Sequence, residues 1–112
     1  MTQDKLLSLL GICRAAGRLN WGHDACLQSV LHGRARICLL AADASERLHR
    51  EFRRAAADHD TTVLETHYTM QQFSDATGYR AGVLTTEDEG FAKKLAALYP
   101  NCIKGGLTAY DQ

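Results

Sequence analysis

The chain has 112 residues, a length that suits one domain with a substantial core. Apolar residues make up 46% of it and charged residues 23%, an ordinary globular composition that argues against disorder. No apolar run approaches the roughly 20 residues of a membrane helix, and residues 1–5 lack the sections of a signal peptide. The sequence therefore predicts a soluble, cytoplasmic protein without a membrane partner.

Charge is balanced overall but divided along the chain. The net charge of zero argues against a strongly electrostatic nucleic-acid binder. Residues 1–54 nevertheless carry nine Lys and Arg against five Asp and Glu, and residues 55–112 carry four against eight. The halves are thus +4 and −4. Such a bipolar molecule can hold RNA phosphates on one face, although segregated surface charge without a ligand explains the same pattern.

Helices and strands alternate through the first hundred residues. Apolar residues at helical spacing and helix-end signals predict five helices, at 5–16, 23–32, 45–59 and after the capping boxes Thr69–Gln72 and Thr86–Glu89. Short apolar runs predict four strands, at 19–21, 37–42, 63–64 and 82–85. The run from Ile37 to Ala42 shows no polar alternation, which is typical of a strand buried on both faces.

These elements define a fold class. A strand, a helix and a second strand between residues 37 and 64 imply a parallel pair. The whole order predicts an α/β protein, a single-domain α/β/α sandwich with a small, about four-stranded mixed sheet. We expect residues 1–100 to form that domain and residues 101–112 a C-terminal tail, loosely ordered or partly docked. Trp21 fits either the core or a stacking surface, and the core is the favoured expectation because tryptophan is usually largely buried.

Sequence signatures of catalysis and metal binding are missing. The glycine-rich phosphate loops and the G-x-S-x-G nucleophile elbow are absent. The four cysteines and five histidines show no zinc-type spacing, and Cys13, Cys26 and Cys38 lie in apolar segments where they pack as small hydrophobes. His23 and Asp24 are neighbours on a helix and point about 100° apart, which makes a poor catalytic pair. We therefore expect no enzyme activity, cofactor, metal or small-molecule substrate.

The second predicted helix offers a binding surface instead. It begins at Gly22 with free N–H groups that favour an approaching phosphate. Arginines hold phosphates, and Gln and Asp side chains read the edges of unpaired bases. The polar residues in and around this helix that suit those roles are Arg18, His23, Asp24, Gln28 and Arg34. An ordinary solvated helix face fits the same residues equally well.

Three sequence blocks resemble the bacterial YlxQ-like proteins. They are Leu6–Leu19 (LLSLLGICRAAGRL), Gly33–Ser45 (GRARICLLAADAS) and Thr85–Leu95 (TTEDEGFAKKL), and the resemblance covers residues 5 to about 98. That branch belongs to the superfamily of kink-turn-binding ribosomal proteins, typified by the archaeal large-subunit protein seven-Ae. The resemblance implies a single α/β/α domain without catalysis that associates with structured ribosomal RNA or with the ribosome.

The resemblance also assigns residues to the RNA-binding turn. Kink-turn binders show glycine, a variable residue, asparagine, glutamate and, three further on, lysine at the positions of residues 22–28. This chain keeps only Gly22, and it has Asp24, Ala25 and Gln28 at the other defined positions. Each change should cost about 1–3 kcal/mol if the same contacts are attempted, so the kink-turn motif is degenerate.

A second RNA-facing loop of the family matches residues 78–81. There Tyr79 is expected to stack on a base and Arg80 to hold a phosphate. The complete RNA-binding set implied by residues and resemblance is Arg18, Gly22, His23, Asp24, Gln28, Arg34, Tyr79 and Arg80. The leading hypothesis is a non-catalytic, ribosomal or ribosome-associated RNA-binding protein. The alternative is a protein-interaction module on the same fold that has lost RNA binding.

Overall fold

The computed structural model describes residues 4–99 and the backbone of residues 103–104 and 107–108. Within these residues five helices are present: α1 (Lys5–Ala15), α2 (His23–Leu31), α3 (Glu46–Ala57), α4 (Met70–Thr77) and α5 (Glu89–Ala97). The strands are β1 (Asn20–Trp21), β2 (Ile37–Leu40), β3 (Thr62–Glu65), β4 (Val83–Thr86), β5 (Ile103–Lys104) and β6 (Leu107–Thr108). No helix in this described part of the chain is long and apolar enough to cross a membrane.

The strands form one mixed sheet in the order β1-β4-β2-β3-β5-β6. Strands β2 and β3 are parallel, as the sequence predicts, whereas β4 is antiparallel to both β2 and β1. The four predicted strands correspond to β1–β4, and the antiparallel pair β5–β6 extends the edge beyond β3. The rest of the predicted tail, 101–112, lies outside the described residues.

Helices cover both faces of the sheet, which confirms the α/β/α sandwich. Alternate residues of β2 divide the core: Ile37 and Leu39 pack with α1, α4 and α5, and Cys38 and Leu40 with α2 and α3. All four are fully buried, as expected for a central strand without polar alternation. The layer of α2 and α3 carries the helix that begins at Gly22.

One predicted capping box is confirmed and the other is wrong. The Thr69 side chain accepts from the Gln72 N–H, and Gln72 bonds back to the Thr69 N–H, as a capping box requires. Helix α5 begins two residues later than its predicted box implies. Thr86 is the last residue of β4 and is held by pairing with Ile37, so Asp88 caps the helix by accepting from the Phe91 N–H.

Two apolar side chains that continue the helical spacing of α1 and α5 lie at the surface. Ile12 of α1 is 58% exposed, and Leu98, just beyond α5, is 40% exposed. Helix α5 ends at Ala97, and its residues Ala92 and Leu95 pack into the core.

Candidate nucleic-acid interface

Gly22 sets the start of helix α2 at one edge of the sandwich. Its N–H donates to the Val83 carbonyl at 3.3 Å, which continues the pairing of Trp21 with Leu84. Its φ of +90° and ψ of 158° lie in a region that essentially only glycine occupies. No side chain caps the helix here, so N–H groups of its first turn and the positive end of its dipole face the surface.

An aromatic pair stands directly beside that helix start. The rings of Trp21 and Tyr79 stack at a centroid distance of 4.6 Å with 16° between their planes. Trp21 is 49% exposed, so the expectation that it lies in the core is wrong. Strand β1 is a two-residue strand at the sheet edge, and Tyr79 of the α4–β4 loop contacts Trp21 there. A large, flat aromatic surface is therefore open to solvent.

Tyr79 is the inner member of this stack. The guanidinium carbon of Arg14 lies 5.3 Å from the centroid of the Tyr79 ring, while Trp21 contacts the same ring. The indole of Trp21 is therefore the exposed ring of the pair, and Tyr79 is partly buried. Arg80 follows in the loop with an exposed side chain, and no carboxylate among the described residues lies within ion-pair distance of it.

His23 connects α2 to α3. Its Nε2 lies 2.8 Å from a Glu51 carboxylate oxygen and its Nδ1 lies 3.1 Å from Oδ1 of Asp24, while its ring meets Phe52 edge-on. The expectation that His23 and Asp24 point apart is wrong, because the short Asp24 side chain reaches back in the first helical turn. Hydrogen bonds that His23 donates to the carboxylates of Glu51 first, and then Asp24, raise the pKa of His23 above its ordinary value.

Arg34 and Arg18 lie toward the other end of strands β1 and β4, away from Gly22. Arg34 follows the far end of α2, about 13 Å along a nine-residue helix from Gly22, and its Nε pairs with Glu87 at 3.3 Å. The Ser29 hydroxyl donates to the same carboxylate at 2.7 Å, and together these contacts lower the pKa of Glu87. Arg18 precedes β1, where Asn20 pairs with Thr85, so its backbone lies at the Thr86 end of β4.

The structure thus divides the sequence-derived set. One group of the predicted residues lies around the start of α2, together with Trp21: Gly22, His23, Asp24, Tyr79 and Arg80. Gln28 lies on the exposed face of α2, one helical turn beyond Asp24, as the four-residue spacing predicts. We call the first group, with Trp21, the Gly22 edge.

Two other kinds of site, metal centres and reactive thiols, find few suitable groups among the described residues. They contain no group of three or more His, Cys, Asp and Glu side chains placed to hold a metal ion. Cys13, Cys26 and Cys38 are buried and free. Burial raises the pKa of Cys26 to about 11 and raises that of Cys38 as well, which suppresses the reactive thiolate. Cys102 lies outside the described residues.

The same fold occurs in an RNA-binding protein of solved structure. The 15.5kD RNA binding protein of Giardia lamblia is 18% identical, with a TM-score of 0.64 over 88% of this chain and 93% of that one. At that identity the likeness concerns the fold alone. A protein of unknown function from Bacillus halodurans C is 27% identical, with a TM-score of 0.80 over 86% of this chain and 97% of that one.

A second RNA-binding protein is similar in sequence over most of the chain. The RNA-binding protein YlxQ of Enterococcus faecium is 25% identical over 96 residues, which are 86% of this chain and 92% of that protein. The resemblance to the YlxQ-like branch is thereby confirmed. No family model matches the chain.

Proposed function

We propose that this chain is a non-catalytic RNA-binding protein and that the Gly22 edge is its RNA-binding surface. The observation that carries the proposal is the exposed Trp21 ring, stacked on Tyr79 beside the uncapped start of α2. The similarity to a protein named RNA-binding protein YlxQ supports the same conclusion.

The chemistry of the edge suits an unpaired nucleotide. A base stacks on the outer face of the Trp21 indole, an interaction worth about 1–3 kcal/mol per base. The neighbouring phosphate meets the free N–H groups at the start of α2 and the Arg80 guanidinium. Asp24 is fully exposed at the same place and repels phosphate, so the contacts differ from those expected for an asparagine at this position.

The RNA we propose is structured ribosomal RNA rather than a standard kink-turn. Ala25 supplies no acceptor and Gln28 supplies no cation, so two of the contacts that kink-turn binders make from residues 22–28 are missing. Base stacking tolerates any base, which suits a looped or bulged nucleotide held by the fold of the RNA. A ribosomal or ribosome-associated role in the cytoplasm follows from this proposal.

The test is a titration of the protein with kink-turn RNA and with total ribosomal RNA over a range of salt concentrations. We expect salt-sensitive binding, stronger for ribosomal RNA, which Arg80→Gln weakens. Arg36→Gln is the charge-matched control, because Arg36 is exposed next to the Thr86 end of β4, away from Gly22. Loss of affinity in Arg18→Gln as well would extend the interface along β1. Absence of RNA binding at low salt by the folded protein would refute the proposal.

A protein-interaction module remains the second candidate, and one surface favours it. Leu9, Ile12 and Leu98 line an apolar groove of about 470 Å³ between α1 and α5, flanked by Lys5 and Lys94. This candidate predicts a saturable protein partner whose binding survives nuclease treatment and is lost in Ile12→Glu. Partner binding that disappears with nuclease would instead point to RNA as the bridge.

A further inference from the structure

A second groove runs between α2 and α3. Its floor is apolar and consists of Leu27, Leu31 and Ala55, and its volume is about 600 Å³. Leu31 is 47% exposed, so the apolar floor reaches solvent at this residue. We call this feature the α2–α3 groove.

Three arginines of α3 form one wall of the α2–α3 groove. Arg47, Arg50 and Arg54 are all exposed and line it together. Their spacing of three and four residues places them on one stripe of the helix, with rises of about 4.5 and 6 Å between successive positions. No carboxylate among the described residues lies within ion-pair distance of any of them, whereas the neighbouring Arg53 pairs with Glu65 at 2.9 Å.

The groove is continuous with the Gly22 edge. His23, Arg47 and Glu51 line a smaller cavity of about 300 Å³ where α2 begins, and Arg47 and Glu51 also line the larger groove. Glu51 is occupied by its 2.8 Å contact with His23, which leaves Arg47 unpaired at the junction. A strand that leaves the Gly22 edge therefore meets the arginine stripe next.

We propose that the α2–α3 groove is a second RNA contact surface, a track that holds the phosphates of a single strand leaving the Gly22 edge. Each exposed arginine neutralises one phosphate, and the apolar floor packs against sugars or bases. Asp58 lines the far end of the groove beyond Arg54 and bounds the track there. This inference rests on the proposed function, because it presumes that RNA binds at the Gly22 edge.

An acidic amphipathic peptide is the other polymer that a basic, apolar-floored groove accepts. Two observations favour RNA over it. The groove opens directly onto the candidate RNA surface. The three arginines lie on one stripe of α3, as repeated phosphates require, and none of them is in an ion pair with a described carboxylate, although Glu51 and Asp58 also line the groove. The peptide is therefore an outcome of the test.

The experiment compares two triple variants of equal charge. In the first, Arg47, Arg50 and Arg54 are each changed to Gln; in the control, Lys5, Lys93 and Lys94 of α1 and α5, all exposed, are changed likewise. The probes are a hairpin RNA with a bulge, and the same hairpin with a single-stranded uridine tail.

We expect the arginine variant to bind the tailed RNA roughly tenfold more weakly at low salt. The slope of log affinity against log salt should become shallower by about 2 for three lost phosphate contacts. The lysine variant should behave as wild type.

Each outcome separates this inference from the proposed function. Wild-type affinity and salt slope in the arginine variant, with wild-type protein binding both RNAs, would overturn the groove and leave the Gly22 edge standing. Wild-type protein that binds neither RNA would overturn both. Saturable binding of an acidic leucine-containing peptide, without loss of RNA affinity in the arginine variant, would assign the groove to a protein and overturn the inference.

A second pair of variants keeps the test decisive if the arginine variant fails to fold. Leu31→Glu places a negative charge on the groove floor with every arginine retained, and Ile12→Glu makes the same change at an exposed position of α1. We expect only Leu31→Glu to weaken binding of the tailed RNA. Equal affinities of the two variants for that RNA would contradict the track.

Discussion

Trp21 and Tyr79 carry the candidate interface at the scale of single residues. Their stacked rings, 4.6 Å apart, hold a half-exposed indole in one orientation beside the start of α2. An aromatic surface that is already ordered loses little conformational entropy when a base stacks on it. The Arg14 guanidinium over Tyr79 adds a cation–π contact that supports the pair from within the protein.

Tyr79→Ala should weaken this support without unfolding the protein. Aromatic pairs are worth about 0.5–1.5 kcal/mol beyond their area, so we expect a loss of at least that size in the free energy of unfolding. Urea denaturation measures it. Tyr79→Phe retains the ring and serves as the control, with expected wild-type stability. Equal stability of Tyr79→Ala and the control would show that the stack does not form in solution.

The hydrogen bond between His23 and Glu51 should make the free energy of unfolding depend on pH. Because the folded-state pKa of His23 is raised, protonated His23 contributes stability that is fully present below about pH 6.5, the ordinary pKa. That contribution is lost as pH rises through the higher folded-state pKa. The difference in unfolding free energy between wild type and His23→Gln should therefore shrink as pH rises.

Urea denaturation of both proteins between about pH 5.5 and 8.5 spans that window. Glu51→Gln is the matched control, because it removes the larger cause of the raised pKa and should show the same loss of pH dependence. A difference between wild type and His23→Gln that grows with pH would contradict the assignment.

At the scale of elements, the ends of helices decide where functional groups lie. Gly22 begins α2 and Gly78 ends α4, and both have positive φ angles, +90° and +86°. Their ψ angles differ: 158° at Gly22 and −2° at Gly78. The second position is near the left-handed helical region that asparagine tolerates, whereas the first is essentially restricted to glycine.

Asparagine substitutions should separate these two glycines. Gly22→Asn should lower the free energy of unfolding by about 1–3 kcal/mol through backbone strain, and Gly78→Asn by about 1 kcal/mol or less. An added Cβ meets no heavy atom within 4 Å at either position, so steric clash does not confuse the comparison. Thermal or urea unfolding of both variants checks it, and equal losses would contradict the backbone conformation at Gly22.

The N-cap of α5 gives a second testable prediction at this scale. Asp88→Ala should cost about 1 kcal/mol, because the Asp88 carboxylate accepts from the Phe91 N–H as the helix cap. Asp60→Ala, at an exposed carboxylate outside any helix, is the control. Faster amide hydrogen exchange in the first turn of α5 should accompany the loss. Unchanged stability would return the cap to Thr86.

Across the whole molecule, the fold was readable from the sequence because its signals are local. The unbroken apolar run at Ile37–Leu40 predicts a strand with helices on both faces, and glycines or caps place most helix ends. The predicted capping box at Thr86 is wrong because threonine suits both a helix cap and a strand. Only the pairing of Thr86 with Ile37 decides between the two.

The candidate site was less readable, because it depends on contacts across the chain. The sequence identifies Gly22 and the loop of Tyr79 and Arg80, but not that Trp21 stacks on Tyr79, 58 positions away. Nor does it show that Arg34 pairs with Glu87 or that three arginines of α3 border a groove against α2. The one available signal was position: Trp21 directly precedes the glycine that begins α2.

Fluorescence of Trp21, the only tryptophan of the chain, tests the central claim most directly. The protein is titrated with a ribosomal RNA fragment containing bulged nucleotides and, separately, with a fully paired duplex. We predict saturable quenching by the bulged RNA at low salt, reversed by added salt, and little quenching by the duplex. Trp21→Ala should bind the bulged RNA about 5- to 150-fold more weakly, which corresponds to 1–3 kcal/mol. Binding of the bulged RNA with unchanged Trp21 fluorescence and full affinity in Trp21→Ala would place RNA elsewhere and contradict the account.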